Sequence, residues 1–167
     1  MKKIEFGFVQ GRMTSTFPKK LLQNFPKKNW RREFYYSKKY NFNFIEYFGE
    51  RKFNKNNPIW NYKNLKEINK LVKKNSLFNY SFCDDYFINN SLINYKNFDD
   101  YYRIITKNLS LINIKIYVLA LFEKSVINKK NLKSYVKIIQ NISDSLKEKK
   151  IKLALETNLD VQSINKL

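Results

Sequence analysis

Five short apolar runs, separated by amphipathic helical patterns, recur along this chain, and that alternation restricts its fold more than any other feature. The runs are Ile4 to Val9, Phe44 to Tyr47, Phe78 to Cys83, Ile116 to Leu121 and Ile151 to Leu155. Each has strand length and is rich in β-branched or aromatic residues. Between them, Leu65, Ile68, Leu71 and Val72 share one helical face. Phe98, Tyr101, Tyr102, Ile105, Leu109 and Ile112 share a second, and Leu132, Tyr135, Val136, Ile139, Ile142 and Leu146 a third. Asn64 and Asn131 stand where N-caps are expected, and a further helix is expected over about 29–40. Parallel strands need long crossovers, so the spacing predicts an α/β fold.

Two architectures fit five βα units in 167 residues. One is a doubly wound sheet. The other is the front of an eight-unit barrel, which needs about 250 residues. No GxGxxG or GxxxxGK[ST] motif is present, and the first strand leads into Gln10-Gly11-Arg12 rather than the acidic pair of a phosphoacceptor domain. Both facts lower the doubly wound alternatives. Asp160 could cap a last helix whose apolar spacing begins at Val161, Ile164 and Leu167, yet no glycine terminator follows. The expectation is one incomplete TIM (β/α) barrel domain over 1–167, with about five parallel strands and flanking helices, truncated after the fifth strand.

Composition narrows the chemistry. There is no histidine, and Cys83 is the only cysteine, so a Cys-His nucleophile, a His-containing metal cluster and an intrachain disulfide are all excluded. Cys83 reads as a small core residue. No signal peptide or membrane-length apolar run is evident, and a cytoplasmic location is expected. The formal charge of +19 raises nucleic acid or an anionic membrane as partners. Lys, Asn, Ile, Phe and Tyr all have AT-rich codons, however, and the lysine pairs are spread along the chain, from Lys19-Lys20 to Lys149-Lys150. A solvated surface is the stronger reading, and neither nucleic acid nor membrane is the expected partner.

In α/β folds ligands sit at the C-terminal strand ends. After the first strand, Gly11 allows close backbone approach, and Arg12 offers a planar fork for phosphate or carboxylate. An ordinary turn with a surface arginine would look the same. Glu46 interrupts the second run, where a carboxylate is costly unless paired or wetted. Asp84 and Asp85 follow the third. Adjacent carboxylates on an extended strand cannot both enter one site, so one is expected to cap the next turn. Glu123 follows the fourth strand. Glu156, Thr157 and Asn158 follow the fifth, where a carboxylate could bind a divalent metal or act as general base.

Taken in order, Phe8-Val9-Gln10-Gly11-Arg12, Phe44-Ile45-Glu46, Asn57-Pro58-Ile59-Trp60, Cys83-Asp84-Asp85-Tyr86-Phe87 and Leu153-Ala154-Leu155-Glu156-Thr157 resemble the sugar-phosphate isomerase/epimerase branch of the xylose-isomerase-like TIM barrels. The resemblance covers essentially the whole chain. It implies a metal-assisted proton transfer next to the carbonyl of a sugar or sugar phosphate, with manganese, magnesium, cobalt or zinc as cofactor. Glu156 matches a glutamate that is both metal ligand and proton-transfer residue in that family. Gln10, Arg12, Glu46 and Asp85 match substrate-side positions, with Asp84 standing where a small residue is usual. The family's remaining metal ligands, an aspartate, a histidine and a second glutamate, belong to strands six to eight. This chain would therefore hold at most half of the machinery.

Two other readings stand beside this one. An endonuclease-IV-like DNA-repair barrel of the same superfamily would suit the charge and predicts salt-dependent binding to duplex DNA. A non-catalytic half barrel would expose two sheet edges and would pair as a homodimer or with a partner chain covering the open barrel.

Overall fold

The computed structural model describes residues 4–14 and 25–165, so Lys19-Lys20 and Leu167 fall outside the described residues. Five parallel strands form one sheet in the order β1-β2-β3-β4-β5. They are β1 (Gly7–Val9), β2 (Phe44–Gly49), β3 (Phe78–Asp84), β4 (Ile116–Leu121) and β5 (Lys152–Thr157). The helices are α1 (Trp30–Lys39), α2 (Tyr62–Lys74), α3 (Tyr86–Asn89), α4 (Phe98–Leu111), α5 (Leu132–Glu148) and α6 (Val161–Ile164). Sequential order in a parallel sheet is the barrel pattern; a doubly wound sheet reverses order at a switch point. The α/β expectation and the front-of-barrel alternative are therefore the ones that hold.

Strand alternation divides the sheet into two faces. Ile45, Tyr47, Phe82, Tyr117, Leu119 and Leu121 are buried with Phe34, Leu65, Ile68, Ile105, Leu109, Tyr135, Ile142 and Leu146 of the helices, and this is the core. The opposite face carries Glu46, Cys83 and Glu156. Between Asn79 and Phe82, β3 has one residue more than β2 has between Ile45 and Tyr47. In this bulge Ser81 Oγ donates to Glu46 Oε2 at 2.6 Å, which gives the strand carboxylate its partner.

The edge strand is shorter than its apolar run suggests. Ile4 and Phe6 are 73% and 61% exposed, and Phe6 is held by the loop residue Asn43 rather than by a ladder. At its other end β5 reaches Thr157, so Glu156 lies within the strand, paired in register with Ala120. The α2 cap is Asn61 rather than Asn64: the Asn61 side chain accepts from the backbone N–H of Lys63 and Asn64. Asn131 precedes α5 but ties the loop instead, accepting from Asn128 N and donating to Val126 O. Asp160 caps α6 through Ser163 N.

With almost no glycine available, the helices end on other residues. Asn41, Ser76, Asn113 and Lys150 all take φ near +57°, between 56° and 58°. In each case the next residue donates back five positions: Phe42 to Ser37, Leu77 to Val72, Ile114 to Leu109 and Ile151 to Leu146. These are Schellman closures, completed by an apolar residue that returns the chain to the sheet. Left-handed backbone is strained for a residue with a Cβ, least so for asparagine. Lys150→Gly is expected to stabilise the fold by about 1 kcal/mol, read as a higher denaturant midpoint at constant slope.

Candidate active site at the strand ends

The carboxylates at the C-terminal ends of β2, β3 and β5 converge on one thiol. Cys83 Sγ lies 3.5 Å from Asp85 Oδ1 and 3.8 Å from Glu156 Oε2. Burial, and then the charges of Asp85, Glu46 and Glu156, push the thiol well above its ordinary range. Cys83 is therefore a protonated donor within the cluster and not a nucleophile. Three of the residues singled out from sequence, Glu46, Asp85 and Glu156, are thus brought together.

Asp84 and Asp85 part company, as adjacent residues of a strand must. Asp84 is fully buried on the helix side. It accepts from Tyr117 Oη at 2.5 Å, Tyr101 Oη at 2.9 Å and Tyr86 N at 3.1 Å. Gly49 makes room for it, since a Cβ there would come within 2.9 Å of Asp84 Oδ1 and 3.0 Å of Phe82 Cζ. Asp85 is the one that meets Cys83. Burial raises it to about 6; the Cys83 hydrogen bond and the Arg51 charge pull down, while Glu156 and Glu46 push up. A carboxyl poised there can hold or release a proton near neutral pH.

Gln10 follows β1, and its backbone N–H extends the ladder to Glu46 O at 2.8 Å. Gln10 is 2% exposed, and neither of its amide atoms has a hydrogen-bond partner among the described residues. A buried amide with four unmet hydrogen-bonding positions is rare in a finished fold. Arg12 departs from this group. It is exposed, its backbone N–H closes the turn onto Val9 O, and no contact joins its side chain to the carboxylates among the described residues.

Four further residues shape the rim. Glu33 of α1 is fully buried and accepts from Gly11 N at 2.8 Å and Thr14 Oγ1 at 3.1 Å. Burial raises its pKa against these bonds. It holds the 11–14 turn in place of a helix N-terminus. Asn57 donates to Phe48 O and accepts from Ile59 N, stapling the end of β2 to the Pro58–Trp60 turn. Glu50 accepts from Phe25 N and Asn54 Nδ2 and organises the same loop. Arg51 pairs with Glu123 Oε1 at 2.7 Å, bridging the β2 and β4 loops, and its charge reaches Asp85.

The donor set does not complete a metal centre. Among the described residues, no three acidic or cysteine side chains are disposed to hold a metal ion. Carboxylate oxygens suit magnesium or manganese in kind, but the group is short of ligands. Nor, among the described residues, is any helix long and apolar enough to cross a membrane.

No family model and no curated protein matches this sequence. Among solved structures, the chain is similar to a xylose isomerase-like TIM barrel protein from Mycobacterium smegmatis in complex with magnesium, with a TM-score of 0.63 and 11% identity. The match covers 93% of this chain and 56% of that one, so this chain spans little more than half the length of its neighbour. The fold of this chain is that of part of a TIM barrel, five consecutive parallel strands and their helices, similar to the corresponding part of that protein.

Proposed function

We propose that this chain provides the first five units of a sugar or sugar-phosphate isomerase or epimerase. The observation that carries the reading is the convergence of Glu46, Asp85 and Glu156 around Cys83 at the ligand-binding end of the sheet. In it, Glu156 takes the proton from carbon next to the substrate carbonyl. Asp85, its pKa raised to about 6, donates to or accepts from a substrate oxygen, and Glu46 and the buried Gln10 amide bind substrate hydroxyls. Arg12, exposed at the mouth, is available to a phosphate group. A divalent metal would need ligands in addition to Glu156, and no step of this reading runs through one.

The outer strands β1 and β5 each have a single neighbour among the described residues. Further strands would close the barrel, from the same polypeptide or from a partner chain, within one domain and in the cytoplasm. The test is carbon-bound hydrogen exchange in D2O. With pentose and hexose phosphates and magnesium or manganese present, the proton beside the carbonyl is expected to be replaced by deuterium, seen as loss of its NMR signal. Retention of every such signal in a closed-barrel protein would reduce Glu156 to a surface carboxylate.

A further inference from the structure

Two lysine pairs flank the first long helix, one at each end, and both are exposed. Lys27-Lys28 precede α1 and Lys38-Lys39 end it, with Arg31 and Arg32 between, and all six are exposed or partly so. Glu33 is the one acid in this segment, and it is turned inward to the 11–14 turn. Neighbouring α2 continues the surface with Lys63, Lys66 and Lys70, and its Glu67 is engaged by Arg31 at 2.5 Å.

Aromatic rings lie among these cations. Tyr35, Tyr40 and Tyr62 are 60%, 52% and 59% exposed. Tyr36 and Tyr40 are stacked at 6.3 Å, and Tyr35 meets Tyr36 edge-on at 5.6 Å. Arg32 lies over Tyr36, Lys39 over Tyr40 and Lys66 over Tyr62. Core packing does not require these rings. The buried face of α1 is formed by Trp30, Glu33, Phe34 and Ser37.

We infer that the outer face of α1 and α2 is a docking surface for single-stranded nucleic acid. Cations spaced along the surface match a phosphate backbone, and exposed rings stack on unpaired bases of any sequence. A lipid bilayer fits less well. The apolar side of α1 is already buried, and the exposed rings are tyrosines, each with a hydroxyl to keep wet. Duplex DNA would meet the charge but leave the rings unused. The surface lies on the outer side of the helix layer and shares no residue with the carboxylate cluster, so it stands or falls independently of the sugar reading.

The experiment is fluorescence anisotropy with a labelled 20-residue oligouridylate, a duplex of equal length and anionic phospholipid vesicles as competitors. The parent chain is expected to bind the single strand more tightly than the duplex, with affinity falling as salt rises. Tyr35→Ala with Tyr40→Ala keeps every charge and is expected to weaken single-strand binding at least about fivefold. Arg32→Ala is expected to weaken binding and to flatten the salt dependence. Lys129→Ala with Lys130→Ala, on the loop before α5, is the charge control and is expected to change affinity less than about twofold. The proposal is overturned if the tyrosine variant binds like the parent. It is also overturned if the control loses as much as Arg32→Ala, or if vesicles or duplex compete better than unlabelled oligouridylate.

Discussion

Asp84→Ala is expected to cost the fold about 3 kcal/mol, equivalent to a melting temperature lower by roughly 10 °C. The substitution leaves Tyr101 and Tyr117 hydroxyls, both buried, with no acceptor, together with the Tyr86 N–H. Asp84→Asn keeps an acceptor of the same shape and should cost far less. The pair separates an organising group from a mere filler. It also tests a pH effect of unusual sign. Burial raises Asp84 to about 6 despite the tyrosine bonds, and Asp85 likewise reaches about 6. A carboxyl raised in the fold binds its proton more tightly there than in the unfolded chain. Stability should therefore rise as pH falls from about 7 to 5, and be lost again as pH climbs through 6. Glu33 and Glu50 are shifted the same way by burial. Glu67 is shifted down by Arg31, and its contribution fades only at lower pH. Melting curves at successive pH values should show this rise in the parent and a shallower one in Asp84→Asn.

Glu156→Gln should do the opposite. Glu156 is exposed on the open face of β5, so the amide is expected to change stability by less than about 0.5 kcal/mol. Deuterium entry beside the substrate carbonyl in the closed-barrel protein should fall at least about 100-fold, the loss typical of a missing general base. Asp84 supports the fold from the helix layer, whereas Glu156 faces the chemistry. A melting curve and an exchange rate measured on the same two variants should therefore cross over. If Glu156→Gln exchanged at the parental rate, the proton-transfer role would pass to another group.

The features legible in the sequence are those set by periodicity. Alternation on β2 to β5 and the 3.6-residue faces of α2, α4 and α5 arise from burial, which acts on every residue of an element at once. The divergence of Asp84 and Asp85 was also readable, because neighbours on a strand point to opposite faces. Other features depend on contacts distant in sequence. Glu33 reaches Gly11 across 22 positions, and Arg51 reaches Glu123 across 72. Each looks like a surface charge in its own segment. Arg12 stands apart from the cluster for the opposite reason: its place beside Gly11 was legible, but its side chain is exposed rather than drawn in among the carboxylates. Helix C-termini were illegible for a different reason. The left-handed stop that glycine commonly supplies is made here by Asn41, Ser76, Asn113 and Lys150, which carry no strong signal when read one residue at a time.

A sugar-phosphate site at the strand ends can be tested by saturation-transfer NMR on this chain with a panel of pentose and hexose phosphates. Transfer to at least one sugar phosphate is expected. Asp85→Asn and Glu156→Gln should each reduce the transfer, and Lys129→Ala with Lys130→Ala should not. Absence of transfer to any member of the panel, or transfer indifferent to both carboxylate changes, would contradict a sugar-phosphate site at the strand ends.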